Sequence, residues 1–186
     1  LLVAVLALTW YATYHLARTE AAQPVAFAFG GEAQPVDYAR AMADGALLAL
    51  VATLGLLQLG HETTPELLQL TGAALFVYAL AAADLREAKA RVAMLVALPL
   101  MAGSGAPSTA LALGVGGTVV CLWSSQPQAR RFAGWVVIAA AIAALVGVVT
   151  GSWAWRVSSP SPGQVVRLFI WFLWPAWPLA AWTVWR

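Results

Sequence analysis

The chain has few charged residues. Asp, Glu, Lys and Arg make up 10% of its 186 residues, whereas hydrophobic residues make up 62%, and the mean hydropathy is +0.79. A soluble domain has about 25% charged residues, so this chain lacks the polar surface of a soluble globule. The net charge of +2 is small and the arginines are scattered, which gives no support for nucleic-acid binding. The composition predicts an all-α polytopic membrane protein.

Cysteine and histidine are almost absent. The one cysteine, Cys121, cannot form an intrachain disulfide and lies in an apolar run, so we expect it to pack as a small hydrophobic residue. The two histidines, His15 and His61, belong to segments that end on opposite faces of a membrane, which disfavours a bis-histidine haem. No ionisable residue lies deep in a predicted span, which counts against ion-coupled transport.

Seven apolar segments follow one another along the chain. A membrane-spanning helix needs about 20 apolar residues, and fewer when it is one of a shielded pair of half-helices. The fourth and fifth segments are short and meet at "MAGSGAPS", which cannot continue as helix. The predicted spans, in a single transmembrane domain 1–186, are 1–17, 41–60, 66–83, 92–103, 107–123, 132–155 and 165–184.

The start of the chain does not look like a signal peptide. It opens on "LLVAVLALTW", with no methionine, no charged region before the apolar run and no small-residue cleavage site at the usual distance. We therefore expect residues 1–17 to be a membrane span and the chain to be a fragment of a longer protein.

Basic residues predict the orientation of these spans. When the segments alternate across a membrane, Arg156 and Arg167 fall on one side and the other eight basic residues on the opposite side. Cytoplasmic loops are enriched in Lys and Arg, so the larger group is predicted to face the cytoplasm of a bacterial inner membrane. The turns "GHETTPE", "GSGAPS" and "WRVSSPSPGQ" then share the outer face. The larger group consists of Arg18, Arg40, Arg86, Lys89, Arg91, Arg130, Arg131 and Arg186.

The polar turn "HETTPE" combines a helix start with two groups that need another explanation. Thr64 can cap a helix, Pro65 suits its first turn, and Glu66 favours the positive end of its dipole. His61 and Glu62 lie where a span ends, and such a pair can bind a cation, orient a phosphate or transfer a proton. The sequence is not a zinc-protease H-E-x-x-H motif, because Pro65 replaces the second histidine.

Other polar and small residues have simpler interpretations. Asp44, near the start of the second span, is predicted to be an interfacial group, and Tyr14 and His15 to be rings at the cytoplasmic end of the first span. Gly147 and Gly151 form a small-x-x-x-small pattern, which predicts close helix packing on the sixth span. None of these residues is assigned to a site.

The last predicted span contains a run of tryptophan and proline, "WFLWPAWPLAAWTVWR". The final two tryptophans fit an aromatic belt at the cytoplasmic interface, while the earlier three lie deeper, where two prolines kink the span. Deep aromatic faces can line a groove for an isoprenoid chain, although bulky helix packing explains them as well. The five tryptophans are Trp171, Trp174, Trp177, Trp182 and Trp185.

The extended run "LFIWFLWPAWPLAAWTVWR" resembles the span that follows the external loop in bacterial membrane glycosyltransferases of the GT-C class. The most similar group is the aminoarabinose-transferase and protein-mannosyltransferase-like set. "LLVAVLALTWYATYHLAR" looks like the second span of that family, and "LVATLGLLQLGHETTPELLQLTGAALFVYALA" looks like its third and fourth. "MAGSGAPSTALALGV" matches the place where two short spans meet beneath the site. The resemblance covers nearly the whole chain as a pattern of spans, and no catalytic signature is matched.

This resemblance implies transfer of a sugar from a polyprenyl-phosphate donor to a lipid or protein acceptor, as in lipid A modification, at the outer face of the inner membrane. It implies that Glu62 and Glu66 orient the acceptor or hold a divalent cation. His61, Arg156 or Arg167 would meet the donor phosphate. The groove for the isoprenoid chain would be lined by Trp171, Trp174 and Trp177.

Two departures from the family limit what the chain is expected to contribute. The acid that anchors catalysis in these enzymes lies in an external loop before the second span, which places it upstream of Leu1. The turn "SGAPS" also lacks the basic residue that is often found there. The chain is therefore expected to supply the scaffold, the lipid groove and part of the cavity lining.

Two other functions fit the same composition. A non-catalytic integral membrane subunit of a respiratory or transport assembly would explain the absence of paired catalytic carboxylates. A transporter would use the break at 101–108 as its binding site.

Overall fold

The apolar segments fold into helices. The computed structural model describes residues 1–19, 22, 34–53, 64–153 and 161–173, and in these ranges it contains seven α-helices and no β-strand. The all-α prediction is therefore confirmed for the described part of the chain. The helices are α1 (Leu2–Ala17), α2 (Pro35–Val51), α3 (Pro65–Ala82), α4 (Glu87–Gly103), α5 (Pro107–Trp123), α6 (Pro127–Val149) and α7 (Pro162–Leu173).

Each predicted span overlaps one of these helices, but the helices differ in how well they could cross a membrane. Within the described ranges two helices, α3 and α6, rather than about seven, are long and apolar enough by length and composition. Helices α1 and α5 are apolar but have 16 and 17 residues. At about 1.5 Å per residue they reach about 24–26 Å, which is less than the roughly 30 Å of a hydrocarbon core.

Three helices begin five or six residues earlier than predicted, each with charged residues in its first turn. Helix α2 starts at Pro35 rather than at residue 41, and Asp37 in its first turn pairs with Arg40 at 3.3 Å. Helix α4 starts at Glu87 rather than at residue 92, and Glu87 pairs with Arg91 one turn later. Helix α6 likewise starts at Pro127 rather than at residue 132. A prediction based on apolar residues places the start of the helix after these charged residues, whereas the helix includes them.

The ends of α4 and α6 are each closed by a local hydrogen bond beside a glycine. At the "SGAPS" break Gly105 has a positive φ of 97°, and Ala106 N donates to Met101 O at 3.1 Å. The end of α6 has the same motif, since Gly151 has a φ of 64° and Ser152 N donates to Gly147 O at 3.0 Å. This motif satisfies the last carbonyls of a helix and favours glycine. The prediction that Gly151 lies on a helix face is therefore wrong, because α6 ends before it.

The helices of the first compact unit, Leu1–Trp153, pack mainly as neighbours in sequence. Helix α1 packs against α2 and α3, α3 packs against α4, and α4, α5 and α6 pack against one another. The largest core cluster lies among α3, α4, α5 and α6, and alanine makes up more than half of it. Cys121 is buried in this cluster as a free thiol, as predicted. Residues 154–186 form a second unit, of which α7 is the described helix.

Candidate functional site

The structure describes three of the residues predicted to line the outer cavity or the lipid groove. Glu66 is exposed in the first turn of α3, and Arg167 and Trp171 belong to α7 in the second unit. The remaining predicted residues lie outside the described part of the chain, so their grouping stays a prediction. They are His61, Glu62, Arg156, Trp174 and Trp177.

The start of α3 follows the prediction from "TPE". The Thr64 hydroxyl accepts a hydrogen bond from Leu67 N at 3.3 Å, and Pro65 occupies the first turn beside Glu66. One turn further on, Gln69 Nε2 donates to the carbonyl oxygen of Ser104 at 3.1 Å. This bond joins the start of α3 to the turn between α4 and α5. The cap therefore explains "TPE" without a catalytic role.

The end of α6 lies at the same end of the bundle. A Cβ added to Gly147 would lie 2.7 Å from Trp153 Nε1 and 3.0 Å from Pro107 Cβ, so the indole and the start of α5 pack directly on this glycine. We call this region the Ser104 end: the start of α3, the α4–α5 turn and the end of α6. It carries Thr, Gln and Ser side chains, and Glu66 is its one charged side chain among the described residues.

The opposite end of the bundle holds a different set of groups. The end of α1, the α3–α4 turn and the α5–α6 turn meet there around two open cavities. The larger, of about 720 Å³, is called the basic cavity, and its polar lining consists of Tyr11, Tyr14, His15, Arg18, Tyr78, Arg86 and Lys89. The smaller, of about 600 Å³, shares Arg18 and is also lined by Thr19, Asp84, Gln126, Gln128 and Arg131.

Aromatic rings form one wall of the basic cavity. Trp10 and Tyr14 stack with centroids 5.3 Å apart, and the guanidinium of Arg18 lies 5.6 Å above the Tyr14 ring. His15 contacts Tyr78 on α3 with a centroid distance of 5.9 Å. Trp10 is held from its other side, because its Nε1 donates to Asp44 Oδ1 at 2.7 Å. Asp44 thus anchors α2 to the aromatic row on α1.

The charged groups of the basic cavity have no carboxylate partner among the described residues. The two ion pairs of the described chain, Arg40–Asp37 and Arg91–Glu87, lie outside the cavity. Arg18, Arg86 and Lys89 make no ion pair with a described residue. Three cations that have no counter-ion within the described part of the chain attract anions.

His15 is the most deeply buried polar group of this cavity. Its side chain is 5% exposed, and its Nδ1 makes no hydrogen bond to a described residue. A buried polar atom without a partner costs roughly 1–3 kcal/mol, so such an atom calls for an explanation.

In the sequence these basic residues predict the orientation of the spans, but they are not grouped as a site. The spacing on α1 contained a signal, since Tyr11, Tyr14, His15 and Arg18 recur at helical intervals and share one face. Arg86 and Lys89 come from the α3–α4 region. The sequence does not show that α1 packs against α3, so it does not bring these residues together.

The described residues contain no group of three or more His, Cys, Asp and Glu side chains arranged to hold a metal ion. The divalent cation stays a prediction, since His61 and Glu62 lie outside the described ranges. No protein-family model, curated protein or solved structure matches this chain. The resemblance to glycosyltransferases therefore stays a prediction from the sequence. The described residues form an all-helical bundle with a polar end and a basic end.

Proposed function

We propose that this chain is a multi-pass integral membrane protein and forms the membrane-embedded part of a polyprenyl-phosphate-dependent glycosyltransferase. In this proposal the basic end faces the cytoplasm and the Ser104 end faces outward from a bacterial inner membrane. The transferred sugar passes to a lipid or protein acceptor at the outer face.

The observation that carries the membrane part is the distribution of residue sizes. Small residues fill the helix contacts, whereas large apolar side chains cover the outside of the bundle. Trp123 is 86% exposed, and Val3 and Val149 are each 78% exposed. In water such a surface would be unfavourable, by about 25 cal/mol for each Å² of apolar area. Small residues inside and large apolar residues outside are typical of helices packed in lipid.

The two longest apolar helices support the same conclusion. In the apolar stretch of α3 39% of the residues are buried in the protein, and in that of α6 33% are buried. The core helix of a soluble protein would be mostly buried, so the exposed faces of α3 and α6 fit contact with lipid. The shorter helices α1 and α5 can cross beside them, because a locally thinned bilayer and flanking polar residues accommodate a short span.

The transferase part rests on the sequence resemblance, and the arrangement of the turns is compatible with it. Three turns meet at the end where the resemblance expects an active-site cavity, through the contacts of Gln69 with Ser104 and of Gly147 with Pro107. Glu66 lies beside them at the start of α3. The chemistry there requires groups that orient the acceptor oxygen and stabilise the departing phosphate.

Loss of the protein should block a step that consumes a polyprenyl-phosphate sugar. We expect cells without the gene to accumulate such a lipid, as measured by mass spectrometry of lipid extracts. A gene carrying Glu62→Gln should restore turnover about 100-fold less well than the wild-type gene, because it removes the proposed acceptor-orienting carboxylate. Asp37→Asn, which removes a carboxylate at the start of α2, is the matched control and should restore turnover fully.

The alternative function, a non-catalytic subunit of a respiratory or transport assembly, predicts a different result. Deletion would then leave every polyprenyl-phosphate sugar at its wild-type level, and the purified protein would carry no polyprenyl phosphate. If deletion has a clear effect but the Glu62→Gln variant is fully active, the transferase function is supported. In that case "HETTPE" is a helix cap without a role in catalysis.

A further inference from the structure

The basic cavity combines two kinds of lining along one helix. At the end of α1 it is lined by Arg18, together with Arg86 and Lys89 from the α3–α4 region. Towards the start of α1 it is lined by Ala4, Ala7 and Leu8. Residues 4 and 18 are separated by about 21 Å along a helix, so the cavity runs from a cationic mouth into the apolar body of the bundle.

The cationic mouth has the chemistry of a phosphate site. Guanidinium groups bind phosphate oxygens with two parallel hydrogen bonds, and an ammonium group adds a compact positive charge. The Tyr14 and Tyr78 hydroxyls and the His15 ring are further donors at the same cavity. Asp84, the carboxylate of the α3–α4 turn, lines the neighbouring smaller cavity instead.

The apolar part of the cavity favours a lipid over a free anion as the ligand. Inorganic phosphate would occupy the cationic mouth and leave Ala4, Ala7 and Leu8 uncovered. A phospholipid matches both parts, since its headgroup is anionic and its acyl chain extends along the membrane normal. Basic pockets between helices on the cytoplasmic side are suited to anionic headgroups.

We propose that the basic cavity binds the phosphate headgroup of an anionic phospholipid, with an acyl chain lying along α1. This inference depends on the membrane part of the proposed function and not on sugar transfer. The site lies at the opposite end of the bundle from the Ser104 end, so it is distinct from the proposed transferase cavity. The bound lipid would join α1 to the α3–α4 turn.

The test is a lipid titration of the purified full-length protein in detergent, followed by native mass spectrometry. Dioleoylphosphatidylglycerol is the probe, and dioleoylphosphatidylcholine, with the same chains but no net charge, is its control. Wild-type protein should bind phosphatidylglycerol about tenfold more tightly. Arg86→Gln and Lys89→Gln should each weaken that binding about fivefold, as expected for the loss of one basic group near a headgroup.

Arg40→Gln is the matched control variant. It removes the same charge from an exposed residue of α2 that does not line the cavity, and it should change binding less than twofold, or about 0.4 kcal/mol. Circular dichroism checks that each variant is folded. Because Arg86 precedes the first residue of α4, Lys89→Gln and Arg18→Gln carry the test if Arg86→Gln does not fold.

Three results would overturn the proposal. One is equal binding of the two lipids by wild-type protein, and another is the same weak effect of Lys89→Gln and Arg40→Gln. The third is displacement of phosphatidylglycerol by millimolar inorganic phosphate, which would make the ligand a free anion. None of these results depends on transferase activity, and loss of transferase activity would leave the lipid titration unchanged.

Discussion

At the scale of single residues, the structure gives new roles to side chains that the sequence presents as ordinary. Asp44 is the acceptor for the Trp10 indole, and His15 is buried in a row of aromatic rings between α1 and α3. Thr64 is the cap that its sequence predicts, because capping depends on neighbours within four residues. His15 depends on Tyr78, which is 63 positions further on, and no local pattern predicts that contact.

Replacing His15 should separate stability from lipid binding. We expect His15→Leu to keep or raise the unfolding temperature in lipid-free detergent, because a buried nitrogen without a described hydrogen-bond partner is exchanged for an apolar group of similar size. The same variant should lose part of the stabilisation that phosphatidylglycerol gives to wild-type protein. Thermal unfolding with and without the lipid measures both quantities. An unchanged stabilisation by lipid would remove His15 from the site.

At the scale of helices, the sequence predicts where each helix lies but misplaces the start of three of them by five or six residues. The apolar runs identify all seven described helices, and α5 has the predicted bounds. The starts of α2, α4 and α6 were misplaced because their first turns contain charged side chains. The basic cavity could not be predicted in the same way, since its lining comes from α1 and the α3–α4 region together.

Two nearby glycines of α5 differ in their contact with α6, because Gly114 lies against it and Gly116 does not. A Cβ added to Gly114 would lie 2.8 Å from Ala140 Cβ, whereas one added to Gly116 would meet no atom within 4 Å. We expect Gly114→Ala to lower the free energy of unfolding by about 1–3 kcal/mol, because the helices must move apart. Gly116→Ala should be neutral or stabilising by up to about 1 kcal/mol. Thermal unfolding of both variants tests this, and equal stabilities would contradict the packing of α5 on α6.

At the scale of the whole molecule, the bundle has two different ends. Basic residues from the end of α1, the α3–α4 region and the α5–α6 turn meet at one end. The turns around Ser104, where Glu66 is the one charged side chain among the described residues, meet at the other. Both the transferase proposal and the lipid site require a membrane between these ends. Helix α5 connects the two ends and is shorter than a typical span, so it is the most direct place to test whether a membrane lies between them.

The most direct test is cysteine labelling in bacterial cells whose outer membrane has been made permeable while the inner membrane stays intact. Cys121 is first replaced by alanine, and a single cysteine is then placed at the exposed position Ser108 or Ser125, just inside the start and just beyond the end of α5. A membrane-impermeant maleimide should label Ser108→Cys in intact cells and Ser125→Cys only after the inner membrane is permeabilised. Equal labelling of both in intact cells, or the reverse order, would contradict a membrane-spanning bundle with a cytoplasmic basic end.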